Sequence, residues 1–425
     1  MASFSSVSLS SMFFPDPPES MLELGVPDVF VENLILKWVL AKGSIPGQQL
    51  AYCLGIPFNL LDDKLYSMKK RLLLQINGST GIQDFNYELT DEGKAKAIAA
   101  RNESSYIGPL PVSLPDYLNS VKRQSIRVES PTEQRLNEAF SDILIPDDLM
   151  DTLGPAVCSG KGLFLYGLPG NGKTTIAERI AHAYQMNIYI PKVLFIDGQV
   201  IKLYDAQCHK LGETPRDLSM DMRWVCIQRP AIVVGGELEM SSLDVKFNPT
   251  LNISEAPLQL KANGGVFLID DFGRQQIPPE ALLNRWIIPL EKQIDYLTLS
   301  SGQKIEVPFD TFIIFSTNLD PADLVDEAFL RRIPYKVNVP DPSPEMFKSL
   351  FEMMAKKLNI PFDEGAYQYL VEQHYHGKRP FRACQPRDLL LQVMNRAQYQ
   401  SVTPLMTPQA FDAACQTYFS AMGKA

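Results

Sequence analysis

The sequence predicts an α/β fold: a parallel sheet flanked by helices, with a small α+β domain ahead of it and a helical domain behind. Three observations predict it. The apolar run Leu163–Tyr166 leads directly into Gly167-Leu168-Pro169-Gly170-Asn171-Gly172-Lys173-Thr174, and residues 175–184 then place Ile176, Ile180 and Ala183 at helical spacing. Residues 264–269 form a second apolar run, which ends in the carboxylates Asp270 and Asp271. From residue 342 to 422 the pattern is helical, with helices predicted over 344–358, 363–374, 387–399 and 408–421.

Taken in order, the chain opens on a serine- and proline-rich stretch, and residues 1–25 are expected to be a disordered tail. The stretch lacks the basic n-region of a secretory signal, and no apolar run approaches the length of a bilayer span. The six cysteines (Cys53, Cys158, Cys208, Cys226, Cys384, Cys415) are scattered without a C-x-x-C pair, which fits a reducing compartment rather than a zinc or disulfide framework. A cytoplasmic protein is expected. The net charge of −9 argues against a general nucleic-acid coat.

Residues 28–42 read as a helix with the apolar stripe Val31, Leu34, Ile35, Trp38 and Val39. Gly43-Ser44-Ile45-Pro46-Gly47 breaks it, and helices over 48–54 and 60–74 follow. Two β-like pieces, 73–76 and 84–89, flank Asn77-Gly78-Ser79-Thr80-Gly81, and Thr90 is placed to cap a last helix running to Arg101. Three helices, a hairpin and a helix resemble a winged helix-turn-helix, here over 26–104. The resemblance implies a third helix that reads DNA, and that helix carries Asp62 and Asp63 beside Lys64, Lys69, Lys70 and Arg71. Over 27–101 the nine Lys/Arg and eight Asp/Glu leave a net of +1, so a protein-docking role is expected ahead of DNA binding. The proline-rich residues 106–115 read as part of a stiff linker, 105–132.

Helices over 133–140 and 147–154 then lead to the glycine-rich loop. Glycines let successive backbone N–H groups face one anion, and the helix that follows adds its positive end. Lys173 can reach β- and γ-phosphate oxygens and the Thr174 hydroxyl can ligate Mg²⁺, the chemistry of a phosphate loop. Asp270, at the end of its strand, can hold Mg²⁺, and Asp271 can orient or deprotonate water attacking the γ-phosphate. Residues 212–263 are long for a connection; a strand and turn over 231–236 and a helix over 255–261 are expected within them. Alternating runs at 294–299 and 304–307 flank Ser300-Ser301-Gly302-Gln303 as a hairpin. A third apolar strand, 311–318, ends in Asn318; a helical stretch 321–330 precedes Arg331-Arg332, and Gln385-Pro386-Arg387 opens a helix.

The ordered set GLPGNGKT, VFLIDD, FIIFSTN, DEAFLRRI and QPRDLL resembles the AAA+ ATPases, with the α/β core over 133–341 and a helical lid over 342–425. The resemblance implies ATP and Mg²⁺ as ligands. It implies nucleotide contacts from Gly167, Pro169, Gly170, Asn171, Gly172, Lys173, Thr174 and Thr175, with Thr174 and Asp270 on the metal. It also implies Asp271 as the base, Asn318 as the residue that positions water, and Arg387 as a lid sensor. Arg331 and Arg332 match the arginine finger that acts on a neighbouring subunit's nucleotide; the sequence leaves open which of the two it is. The resemblance also implies a homo-oligomeric ring, commonly a hexamer, in which this finger is supplied in trans. The hairpin before Asn318 is similar to that of the branch containing MoxR-like chaperones. One departure stands out: the family usually ends this strand in Asp-Glu, and the shorter Asp271 is expected to give slow hydrolysis. The expected function is remodelling of a protein client. A DNA-binding regulator or loader and a nucleotide-gated oligomeric switch are the alternatives.

Overall fold

A computed structural model of the chain describes residues 13–81, 84–213 and 219–420. Parts of four expected features lie outside those residues: the start of the tail, the hairpin residues 82–83, part of the 212–263 insertion and the last five residues of the lid. The sheet that carries the phosphate loop has the order Ala231–Val234, Val266–Ile269, Phe312–Thr317, Leu163–Tyr166, Tyr335–Asn338. Phe312–Thr317 and Tyr335–Asn338 both run parallel to Leu163–Tyr166, on either side of it. Phe164, Phe267, Phe312 and Phe315 are fully buried. Strands covered on both faces need such continuous apolar runs, which is why they read so clearly. The α/β expectation holds.

By its internal contacts the chain falls into two units. One comprises Met1–Ser130, Tyr184–Phe267 and Gln275–Ile313. Its N-terminal part has helices Asp28–Lys42, Gly47–Leu54, Phe58–Lys70 and Asp91–Glu103 around a sheet ordered Ser44–Pro46, Asp84–Leu89, Leu74–Gly81. Val31, Leu34, Ile35 and Val39 are buried together with Leu61, Leu65 and Met68. Thr90 caps the last helix by accepting from the Gly93 N–H at 3.0 Å. Lys64 pairs with Asp28 and Glu32, and Arg71 with Glu32.

Two parts of this unit depart from expectation. The tail is built from Phe13 onward: Phe13 lies against Trp224 and Phe14 against Tyr189, with ring centroids 5.2 and 5.5 Å apart. Segment 105–132, read as a linker, contains the strand Val112–Ser113, paired parallel with Leu194–Phe195, and the helix Leu114–Arg123. Ser113 caps that helix and Pro115 sits in its first turn, where a missing N–H costs nothing. Within the insertion, Lys246–Asn248 and Ile253–Glu255 join Gln199–Lys202 and Val193–Ile196 in one sheet. The expected hairpin is formed by Ile294–Thr298 and Lys304–Pro308, antiparallel in register.

The other unit comprises Pro131–Ala183, Leu268–Arg274 and Ile314–Ala425. Its lid has helices Pro344–Lys357, Glu364–Leu370, Gln385–Tyr399 and Pro408–Tyr418 over a core of Phe347, Phe351, Leu370, Tyr375, Leu389 and Phe411. Ser343 caps the first of these, accepting from Met346 N. The stretch expected as one helix over 321–330 is two short ones, Pro321–Leu324 and Glu327–Leu330, each started by an aspartate cap. Every residue expected at the nucleotide site belongs to this unit.

Candidate functional site

Strand Leu163–Tyr166 and helix Lys173–His182 present the loop between them. Gly167 adopts φ 140°, and a Cβ there would meet the Val339 carbonyl at 2.4 Å. Gly170 adopts φ 87°, with the Cys384 sulfur 2.7 Å from the place a Cβ would occupy. Only glycine fits either position. Gly172 starts the helix in the left-handed region, so the first helical N–H groups open toward the loop.

Lys173 is buried, and its Nζ donates to Gly167 O at 2.9 Å, Leu168 O at 3.0 Å and Asn318 Oδ1 at 2.7 Å. Burial pushes its pKa down, with the nearby Arg382 adding to the effect and the Asp271 and Asp270 carboxylates opposing it. Asn318 also donates from Nδ2 to Asp271 Oδ1 at 3.0 Å, so one amide joins the loop lysine to the candidate base. The two strand ends are fixed beside each other: Phe272 N donates to Ser316 O at 2.7 Å and Thr317 Oγ1 to Phe272 O at 2.9 Å. Asp271 has φ 49°, a left-handed conformation that aspartate tolerates better than bulkier residues. Thr174 Oγ1 donates to Asp270 Oδ2 at 2.8 Å, which sets two hard oxygen donors side by side. Among the described residues no cluster of three metal-ligating His, Cys, Asp or Glu side chains occurs. A Mg²⁺ that brings its own phosphate and water oxygens needs no such cluster, so Thr174 and Asp270 fit it.

The remaining expected residues are not drawn together in the same way. Arg331 pairs with Glu327 at 2.7 Å across one helical turn, and both side chains are largely exposed. Arg387 is held by its neighbour Asp388, at 2.9 Å, which in turn accepts from Tyr418 Oη at 2.9 Å. Four further residues at the loop, Asp341, Arg382, Ala383 and Cys384, belong to none of these motifs. Asn171 Nδ2 donates to Asp341 Oδ1 at 2.7 Å, and Asp341 also receives the Arg382 guanidinium. Ala383 N donates to Asn171 Oδ1 at 3.3 Å and Cys384 N to Gly170 O at 2.9 Å. One signal could have found Asp341: it lies just past the carboxyl end of strand Tyr335–Asn338, the edge of an open α/β sheet where ligands bind.

The strand order, the loop that follows Leu163–Tyr166, fourth of the five strands, and the carboxylate pair beside it decide the architecture. The fold is an α/β one whose parallel strands carry a phosphate loop. Residues 343–417, most of the C-terminal helical part, match a domain family of unknown function, DUF8689. Two curated relatives are the 26S proteasome regulatory subunit 8 homologs A and B of Arabidopsis thaliana. Each is 22% identical over 288 residues, covering 65% of this chain and 57% of the relative. The chain thus spans little more than half the length of these relatives. Among solved structures, NtrX from Brucella abortus in complex with ATP aligns at 16% identity and TM-score 0.42, over 85% of this chain and 75% of that one. A RuvB mutant from Thermotoga maritima aligns at 12% and 0.39, over 65% and 70%.

Proposed function

We propose that this chain binds ATP with Mg²⁺ and hydrolyses it slowly, and that hydrolysis drives a ring of subunits that remodels a protein client. The observation that carries the reading is the linked set Lys173–Asn318–Asp271 beside Thr174–Asp270, every member within hydrogen-bonding distance of the next. Phosphate oxygens would take the place of the two loop carbonyls on Lys173, while Asn318 keeps the water-orienting amide next to Asp271. Thr174 and Asp270 would hold Mg²⁺, which when bound would supply positive charge against the transferring phosphoryl group. Asp271 accepts a proton from the attacking water or holds that water in line. Arg331 or Arg332 of the next subunit faces the charge that builds on the γ-phosphate, and Arg387 answers from the lid.

The N-terminal α+β part favours protein over DNA as the partner. We read it as a winged-helix module, and a cation on its third helix and the one that follows it are already paired, Lys64 with Asp28 and Glu32, and Arg71 with Glu32. Lys70 lies over the Tyr66 ring at 4.4 Å. A DNA reader needs such charges for phosphates. The hairpin Ile294–Thr298/Lys304–Pro308 supports placement in the MoxR-like branch.

Phosphate release from ATP by the purified chain, with and without Mg²⁺, tests the reading. Lys173→Ala is expected to abolish it. Turnover that persists in Lys173→Ala, or that ignores Mg²⁺, would sink the assignment. Duplex binding by the full chain that weakens steeply with salt would instead favour the DNA-binding regulator.

A further inference from the structure

The segment Arg382–Cys384 is strapped onto the phosphate loop. Cys384 N donates to Gly170 O, Ala383 N to Asn171 Oδ1, and the Asn171 amide donates in turn to the Asp341 carboxylate that the Arg382 guanidinium grips. The Cys384 sulfur lies 2.7 Å from where a Cβ at position 170 would sit, and the residue there has φ 87°. Arg382 N donates to Gln385 Oε1 at 2.8 Å, which fixes the strap to the first turn of the lid helix. Its backbone is therefore held on both sides, and its guanidinium, mostly buried, has one carboxylate as its partner at the loop.

Resting on the nucleotide-binding reading, we infer that Arg382 is a second lid arginine for ATP: it exchanges Asp341 for the terminal phosphate, and Asp341 is the competing anion that holds it until then. A planar guanidinium that grips a carboxylate has the donors to grip a phosphate, and the phosphate brings more charge. The position is right as well. Arg382 is held at Asp341, which also takes the amide of Asn171, two residues before Lys173, so its guanidinium lies at the loop whose lysine reaches the β- and γ-phosphate oxygens. Arg387, by contrast, is largely exposed and engaged with Asp388. Asp341 keeps its hydrogen bond from Asn171 when Arg382 leaves, so the loop stays anchored while the arginine swings.

Titration of the full-length chain with fluorescent ATP and ADP analogues in Mg²⁺ tests this. Arg382→Ala is expected to weaken ATP about tenfold or more while moving ADP less than roughly threefold, the size expected for lost charge-assisted hydrogen bonds to one phosphate. Asp341→Asn, which keeps an acceptor for Asn171 but removes the competing charge, is expected to tighten ATP. Should Arg382→Ala fail to fold, Arg382→Lys serves: it keeps the charge, loses the fork and should fall between wild type and the alanine expectation. An unchanged ATP-to-ADP ratio in the Arg382 variants, or weaker ATP binding in Asp341→Asn, overturns the inference alone. If wild type binds neither nucleotide, or Lys173→Ala binds as well as wild type, the nucleotide reading falls and the inference with it.

Discussion

At the scale of single residues, the question is what Asp271 can do with one methylene fewer than glutamate. Its left-handed backbone, φ 49°, and the hydrogen bond from Asn318 Nδ2 set its carboxylate beside the amide that also holds Lys173. The geometry supports a base that is held in place but reaches less far. Asp271→Asn separates chemistry from shape, because asparagine tolerates the same backbone and can still accept from Asn318. Turnover in Asp271→Asn is expected to fall by about a hundredfold or more, the usual worth of a positioned general base, with ATP affinity and melting temperature held near wild type. A steady-state phosphate-release assay beside a melting curve decides it. Turnover close to wild type would leave Asp271 a structural acceptor for Asn318.

At the scale of elements, Lys37 shows how one helix is locked to another. It lies on helix Asp28–Lys42 and donates from Nζ to Ser104 O at 3.0 Å, at the carboxyl end of helix Asp91–Glu103, where a cation is favoured. Burial nonetheless pushes its pKa down from 10.5 to about 8, with Glu103 opposing. Between those values the unfolded chain holds a proton that the folded chain lacks, so this group's contribution to stability rises with pH through that window. Wild type should therefore gain melting temperature relative to Lys37→Met as pH climbs from about 8 toward 10.5; parallel curves would show that Lys37 stays charged. Elements with a clear period were legible in the sequence. The strands of the phosphate-loop sheet, the Thr90 cap, the hairpin at 294–308 and the lid helices could be read because one local pattern fixes each. What was missed depended on distant partners. Proline in 105–132 suggested a linker, yet Pro115 is a helix-starting proline, and Val112–Ser113 becomes a strand only because Leu194–Phe195 lies beside it. Likewise Phe13 and Phe14 looked like part of a tail until Trp224 and Tyr189 gave them something to pack on. In the site, the loop, Asp270, Asp271 and Asn318 were legible as motifs. Arg382 and Asp341 were not, since their contact spans 41 residues of sequence and no spacing rule reports it.

At the scale of the whole molecule, the open issue is whether the site is completed by a second copy. Arg331 is paired with Glu327 one helical turn away, with both side chains largely exposed, and a surface pair of that kind is worth little. It can be given up to a phosphate at small cost. If either arginine of the Arg331-Arg332 pair acts in trans, a catalytic unit needs an intact loop from one subunit and an intact arginine from its neighbour. Two inactive variants then become informative together. Lys173→Ala lacks the loop lysine but keeps both arginines; Arg331→Ala, or Arg332→Ala, keeps the loop. Mixed in equal amounts under conditions that let subunits exchange, they should restore about a quarter of wild-type turnover, because a quarter of random interfaces in a closed ring pair a good loop with a good arginine. The arginine variant that complements Lys173→Ala names the finger, which the sequence leaves undecided. A mixture as inactive as its parts, although sedimentation shows the two variants co-assembling, would mean that loop and arginine must belong to the same chain. Any assembly would then be no more than a scaffold around complete sites.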